Sequence, residues 1–314
     1  MTVTSAVTQI AAPPKTWLIY ALATTVLWGF WGAFTDFPVR RGFPETLVYC
    51  VWSVTMILPA LIVLARAGWR LDRDPRSIVY GLIIGLLGAG GQLVLFHALT
   101  IGPAYLIFPV ISLSPVVTIA MSFVLLGERT NVVGAAGIVL ALLALPLFDF
   151  SPQGFESKGL GWFVLAVTVM GCWGVQAFFM KLANRSMSAE SIFFYMMITG
   201  LMLAPVAWAM TDFSRPVNWG ADGLYLAAGI QLLNAVGALT LVYAFRYGQA
   251  IVVSPLTNAG APLMTAVISL VAIGTLPGRL KLIGLILATI AAVLLALAPE
   301  EPGKSAADRK ATTS

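Results

Sequence analysis

Residues 97–115 read HALTIGPAYLIFPVISLSP. The stretch joins the end of one apolar run to the start of the next, and it has an echo 146 residues further on. Set beneath it, YAFRYGQAIVVSPLTNAGAP from Tyr243 brings Ala244, Gly248, Ala250 and Pro255 under Ala98, Gly102, Ala104 and Pro109. A second pair lies at almost the same offset: LWGFWGAF from Leu27 and CWGVQAFF from Cys172 put Trp28-Gly29 over Trp173-Gly174, 145 apart. The chain reads as a duplication.

Composition fixes the medium. Of 314 residues, 59% are hydrophobic and only 10% charged, with a mean hydropathy of +0.93, whereas soluble domains carry about 25% charged residues. Apolar runs of roughly 18 to 25 residues recur along the chain, each long enough to cross a hydrocarbon core of about 30 Å. They lack the alternation of outer-membrane strands, so the fold class is all-α and integral to a membrane. The net charge of +5 comes from basic residues scattered in loops, a pattern of membrane orientation rather than of nucleic-acid binding. Cys50 and Cys172 fall inside apolar runs, so no disulfide framework is readable. MTVTSAVTQIAAPPK at the start has no charged region leading into a short apolar stretch, unlike a cleaved signal peptide.

Ten spans are predicted: 16–36, 45–66, 78–101, 103–126, 131–148, 159–182, 189–211, 223–246, 249–273 and 280–299. With the start of the chain in the cytoplasm, the 18 basic residues divide 12 to 6 in favour of that side. The loop RAGWRLDRDPR from Arg66 carries much of the bias, and Arg40 with Arg41 opposes it. Both termini are then cytoplasmic and the membrane is the cell membrane. A duplication dividing ten spans gives five per half, an odd number, so the second copy enters from the opposite face. The predicted organisation is a tail 1–15, a five-helix repeat 16–148, an inverted five-helix repeat 159–299 and a polar, disordered tail 300–314. Inverted repeats that exchange conformations are the signature of secondary transporters.

These motifs resemble the EamA branch of the drug/metabolite transporter superfamily. The likeness rests on LWGFWGAF, on ALTIGPAYLIFPVISLSPVVTIAMSFVLLGERTNVVGAAGIVLAL from Ala98, especially Ser114-Pro115 followed by LLGER at Leu125–Arg129, and on WGVQAFFMKLANRSMSAESIFFYMM from Trp173. It covers essentially all ten spans. The resemblance implies a central cavity and movement of small metabolites, amino acids or drugs, often outward. Two departures stand out: Gly274 occupies the echo of Glu128, and the second span reads VYCVWSVTM where many members place an arginine.

Polar residues within spans are costly and tend to face a cavity or the bundle interior. Candidates for a substrate cavity are Trp28, Trp31, Gln92, Ser112, Trp173, Gln176, Asn234 and Asn258. Asn258 echoes Ser112, and Asn234 shares a helix face with Gln231. For the polar members the alternative is interhelical packing, and for the tryptophans it is contact with lipid. His97, the one histidine, is a proton-relay candidate because its ordinary pKa is about 6.5; packing against a carbonyl is its other reading. Pro109 and Pro255 are hinge candidates, since each removes a backbone donor; a harmless bend is the other reading of each. Glu128-Arg129 reads as a helix cap at the cytoplasmic surface, Trp17, Trp162 and Trp219 as interface anchors, and Gly88-Ala89-Gly90-Gly91 as a site of close helix contact.

No carboxylate lies at the centre of any span, which favours neutral, zwitterionic or amphipathic cargo over polycations. The function these features predict is secondary transport, outward, of a small organic solute by alternating access, with proton coupling through His97. A passive channel is the first alternative. An integral-membrane enzyme is the second, with little raw material: no HExxH, no GxSxG and no GxxxxGK. No catalytic residue, metal site or cofactor is predicted. The partners expected are a small-molecule substrate and the lipid bilayer, and no nucleic acid.

Overall fold

The computed structural model describes residues 15–101, 104–149, 161–273 and 278–298. The predicted tails and Gly274 lie outside the described residues, within which the chain is helical without a strand. In order the helices are α1 (Thr16–Phe34), α2 (Asp36–Arg40), α3 (Glu45–Thr55), α4 (Ile57–Arg66), α5 (Pro75–Ile101), α6 (Ala104–Ile111), α7 (Ser114–Met121), α8 (Val132–Asp149), α9 (Gly161–Ala183), α10 (Ala189–Ala209), α11 (Leu226–Tyr247), α12 (Ala250–Ile273) and α13 (Arg279–Leu297). Wider π-type turns close α7 at Ser122–Leu126 and open α11 at Ala221–Tyr225.

Proline explains three of the breaks. A proline cannot donate to the carbonyl four residues back, and its ring crowds that carbonyl. Accordingly α1 stops at Phe34 before Pro38, α3 at Thr55 before Pro59, and α6 at Ile111 before Pro115. By contrast Pro146, Pro205, Pro255 and Pro262 are carried inside α8, α10 and α12. Starts are set by short polar caps: Asp74 Oδ1 accepts the Ser77 N–H (3.1 Å) ahead of Pro75, Asn131 Oδ1 the Gly134 N–H (2.9 Å), and Ser188 Oγ the Ser191 N–H (3.2 Å).

Among the described residues, eight helical stretches are long and apolar enough to cross a bilayer: Thr16–Arg40, Glu45–Arg66, Pro75–Ala98, Gly161–Ala183, Ala189–Ala209, Ala221–Tyr247, Ala250–Ile268 and Arg279–Leu297. The fourth and fifth predicted spans are represented by shorter apolar helices, Ser114–Leu126 and Val132–Leu147. The fourth is shortened because Pro115 divides it, a break that the apolar run conceals.

α1 lies along α11 and α12, and α9 lies along α5, α6 and α7; α5 also packs on α10, and α8 on α13. In lipid, apolar burial does not drive helices together, so close packing must come from small residues. Gly81 and Gly85 of α5 admit Tyr195 and Thr199 of α10, where a Cβ would stand 2.4 Å and 1.8 Å from the nearest side-chain atoms.

The connections sort into two ends. At one, Ser188 donates both N–H and Oγ–H to Asp72 Oδ2 (2.8 Å each), and Arg246 donates to Met187 O (3.3 Å). At the other, Asn218 N–H donates to Gly42 O (3.0 Å) and the hydroxyls of Thr46 and Thr211 meet at 2.7 Å. Lys15 Nζ donates to Ala296 O (3.4 Å), so α1 begins and α13 finishes at the same end. Trp17 departs from its reading as an interface anchor: it is only 5% exposed, because Gly248 lets the α11–α12 turn close over it.

Candidate functional site

Two seams are each built around a tryptophan. On the first, Trp28 of α1 donates its indole N–H to Asn234 O of α11 (3.3 Å), resting where Gly237 has no side chain. On the second, Trp173 of α9 donates to Gly88 O of α5 (3.3 Å) and rests on Gly91. Asn234 and Gly237 each lie 146 residues beyond Gly88 and Gly91. A further pair follows the same pattern: Thr118 Oγ1 donates to Gly174 O (3.0 Å), and Thr265 Oγ1 to Gly29 O (3.1 Å). The glycines of these pairs are 145 apart and the threonines 147. The added residue lies in NAGAP against SLSP, so Pro262 falls opposite Pro115.

The predicted residues divide accordingly. Trp28 and Asn234 belong to the α1–α11 seam, continued outward by Asn234 Nδ2 donating to Gln231 Oε1 (3.3 Å) and Gln231 Nε2 to Thr35 Oγ1 (3.3 Å), and inward by the Thr24–Thr240 hydroxyl pair (2.8 Å). Trp173 and Gln176 belong to the α9–α5 seam, with the Gln176 amide lying over Gly88. Gly88 and Gly91 thus serve the close contact expected of the glycine run. Gln92 and Ser112 are half-buried, and half-buried Asn258 donates to Ser254 O within its own helix (2.9 Å). His97 stands apart from both seams, exposed near the end of α5. Pro109 lies in α6 and Pro255 is buried within α12. A surface groove of about 500 Å³ lies away from these residues, lined by Phe43, Pro44, Asp212 and Arg215 among others.

Two indoles differ from the rest. Trp31 Nε1 and Trp52 Nε1 are buried and meet no acceptor among the described residues. An unmet buried donor costs about 1–3 kcal/mol. Trp52 is absent from the predicted set because the second span was read for a missing arginine.

A charged and aromatic cluster at the Asp72 end was also missed. Tyr20 stacks on Tyr243 (5.0 Å) and Tyr247 (5.8 Å), and Tyr243 Oη donates to Glu190 Oε1. Beside it, Lys181 Nζ donates to the carbonyls of Phe245 (3.0 Å) and Gly248. Glu128 is 4% exposed rather than at the surface, and its Oε2 accepts the Ile251 N–H (3.1 Å) at the start of α12. Burial pushes its carboxyl above the usual range, opposed by the Lys181 charge, the amides of Ile251 and Ala250, and Arg185. The cue was Gly127, whose left-handed backbone (φ 68°) ends the helix and turns the next residue inward.

The repeated seam has a counterpart in the comparison with known families. The profile of the EamA-like transporter family matches twice, over residues 15–148 and 160–297. The chain belongs to the EamA-like transporter family. Members of this family are transporters, which places the chain among multi-pass membrane proteins with small-molecule substrates. Among similar proteins, the pseudopaline exporter CntI of Pseudomonas aeruginosa is 24% identical over 193 residues, 62% of this chain and 66% of the exporter. Protein RarD of Streptomyces exfoliatus is 24% identical over 271 residues, 78% of this chain and 75% of RarD. A protein of known crystal structure superposes with a TM-score of 0.75 at 19% identity, covering 90% of this chain and 98% of the other, a likeness of fold.

Proposed function

We propose that this EamA-like protein is a secondary transporter that exports a small organic solute across the cell membrane by alternating access between two inverted five-helix repeats. The observation that carries the reading is the doubled seam: Trp28 on Asn234 and Gly237, and Trp173 on Gly88 and Gly91. Two halves making the same contacts with each other's partners can trade conformations at little cost, which is what alternating access requires. The two family matches, one per half, support the same division at residues 16–148 and 159–299.

Ten crossings are consistent with α1 beginning beside the end of α13, since an even count returns the chain to its starting side. The basic loops gather at that end, supporting cytoplasmic termini. Trp28, Trp31, Gln92, Ser112, Trp173, Gln176, Asn234 and Asn258 are the proposed wall of the pathway, with Pro109 and Pro255 as its hinges and His97 as a proton relay. The buried donors of Trp31 and Trp52 suit a neutral or zwitterionic solute with acceptor atoms. Export is favoured by the likeness to an exporter.

Reconstituted protein should move labelled solutes from a metabolite panel into liposomes with saturable kinetics and counterflow. Rates that rise linearly with concentration, without counterflow, would establish a passive channel instead. A reporter active only outside the cytoplasm, fused at Ser314, should be silent, and strong activity there would overturn the orientation. Replacing His97 by Gln should flatten the pH dependence of uptake; an unchanged profile removes it from the relay.

A further inference from the structure

The α11–α12 turn is held by opposite charges at its two sides. Gly127 sends Glu128 into the bundle, where Oε2 takes the Ile251 N–H of the first turn of α12, and Oε1 meets no donor among the described residues. From α9, Lys181 holds the carbonyls of Phe245 and Gly248 at the end of α11. A carboxylate at a helix start and an ammonium at a helix end each complement the local dipole. The turn therefore stays seated while both groups are charged.

Other charges nearby are engaged or act in the same direction. Arg185, in the turn after α9, favours the ionised carboxyl, as Lys181 does. Arg246 of α11 is bound to Met187 O, and Tyr247 is stacked on Tyr20. In the sequence, the second repeat lacks a copy of this pair of charges. Gly274 echoes Glu128, and Asp36, the echo of Lys181, is exposed and paired with Arg40.

We infer that Glu128 is a proton-binding site, and that protonating it releases the α11–α12 turn and opens this end of the bundle. The proton has a place to go, the partnerless Oε1. Once neutral, the carboxyl no longer offsets the half-buried Lys181 ammonium, and a charge left without its counter-charge drives the structure towards a form in which water reaches it. Burial moves the carboxyl upward from its ordinary range, in the direction that favours the bound proton. The inference rests on the transport reading for its purpose, though the gate can be measured without any solute.

The test uses full-length protein in nanodiscs, with Cys50 and Cys172 replaced by Ala and Val252→Cys as reporter in the first turn of α12, where Val252 is 7% exposed. Maleimide labelling is measured between about pH 8 and about pH 6, and divided by the rate for free cysteine at each pH to remove the thiol's own titration. The normalised rate should rise about tenfold on acidification. In Glu128→Gln it should be high at both ends of the range. A slow reporter in Glu128→Gln at the higher pH, or a surviving acid response, overturns the assignment, as does an acid response lost with His97→Gln instead. Lys181→Gln gives an independent arm if Glu128→Gln is not monodisperse: without the ammonium that holds the Phe245 and Gly248 carbonyls, the reporter should be fast at both ends of the range, and a slow reporter at the higher pH overturns the link. A pH-gated reporter without solute counterflow would leave the gate standing and remove the transport reading; counterflow with an ungated reporter would do the reverse.

Discussion

Gly237→Ala gives the sharpest check on the Trp28 seam. The new methyl would stand 2.5 Å from Cδ1 and 2.6 Å from Nε1 of Trp28, a rigid ring tethered to Asn234 O. Either the indole tilts and gives up its hydrogen bond, or α1 and α11 separate. Overpacking of this kind costs about 1–3 kcal/mol, and a lost hydrogen bond about 0.5–1.5 kcal/mol. Against this, alanine favours a helix over glycine by about 1 kcal/mol, leaving a net loss of roughly 1–3 kcal/mol. Gly229 on the same helix is the control: it is exposed, and a Cβ there meets nothing within 4 Å. Gly229→Ala should be neutral or stabilising by up to about 1 kcal/mol. Denaturant unfolding in a fixed detergent would rank the two. Equal stability of the variants would refute the seam, and so would a Gly237→Ala loss that persists undiminished in a Trp28→Phe background, since the smaller ring relieves the clash.

Other outcomes follow from single contacts. Thr118→Val and Thr265→Val should each lose about 0.6 kcal/mol in the same unfolding assay, and strongly unequal losses would count against equivalent seams. Trp31→Phe and Trp28→Phe remove the same ring volume but only Trp28 donates to a protein acceptor, so Trp28→Phe should be less stable by about 1–2 kcal/mol, whereas Trp31→Phe should raise KM for the solute. At the start of α5, the Ser77 hydroxyl and amide hold the Asp74 carboxyl below its ordinary value. A depressed folded-state pKa contributes stability above the unfolded value, about 3.9, that is lost as pH falls through the folded one. Asp74→Ser keeps a capping oxygen without a charge, so melting temperature should match the parent near neutrality and fall less steeply below about pH 4.

The helical class was legible because it is written in composition, and the paired small residues stand in the sequence itself. A bilayer demands long apolar runs, and a close helix contact demands glycine, so Trp28-Gly29 and Trp173-Gly174 survive in both halves where the surrounding side chains have drifted. The partners of those tryptophans were not legible, since Gly237 is one glycine among 29 until α1 is seen lying on it. Asn234 was singled out for its side chain, yet its carbonyl makes the contact, which any residue could supply. Glu128 was read as a surface cap because sequence places it beyond the end of a span; the left-handed turn at Gly127, which buries it, leaves no trace in hydropathy. His97 drew notice by chemistry alone, and nothing in a residue's identity tells that the last turns of α5 leave it exposed.

Similarity at the seams and difference at the ends have opposite effects on a two-state machine. On the transport reading proposed above, the repeated tryptophan contacts make the two forms nearly equal in energy, because what one loses on switching the other regains. Unequal ends then decide which form prevails. One hydrogen bond to a charged group contributes about 1.5–3 kcal/mol, and each 1.4 kcal/mol shifts a two-state population about tenfold. On the same reading, the Glu128 contact with α12 alone suffices to hold one end closed in most molecules, and the sequence has glycine rather than glutamate at the echo position 274. A degenerate copy of LLGER in the second half is then a working asymmetry: had both halves kept the glutamate, each end would be locked equally and a proton could favour neither direction.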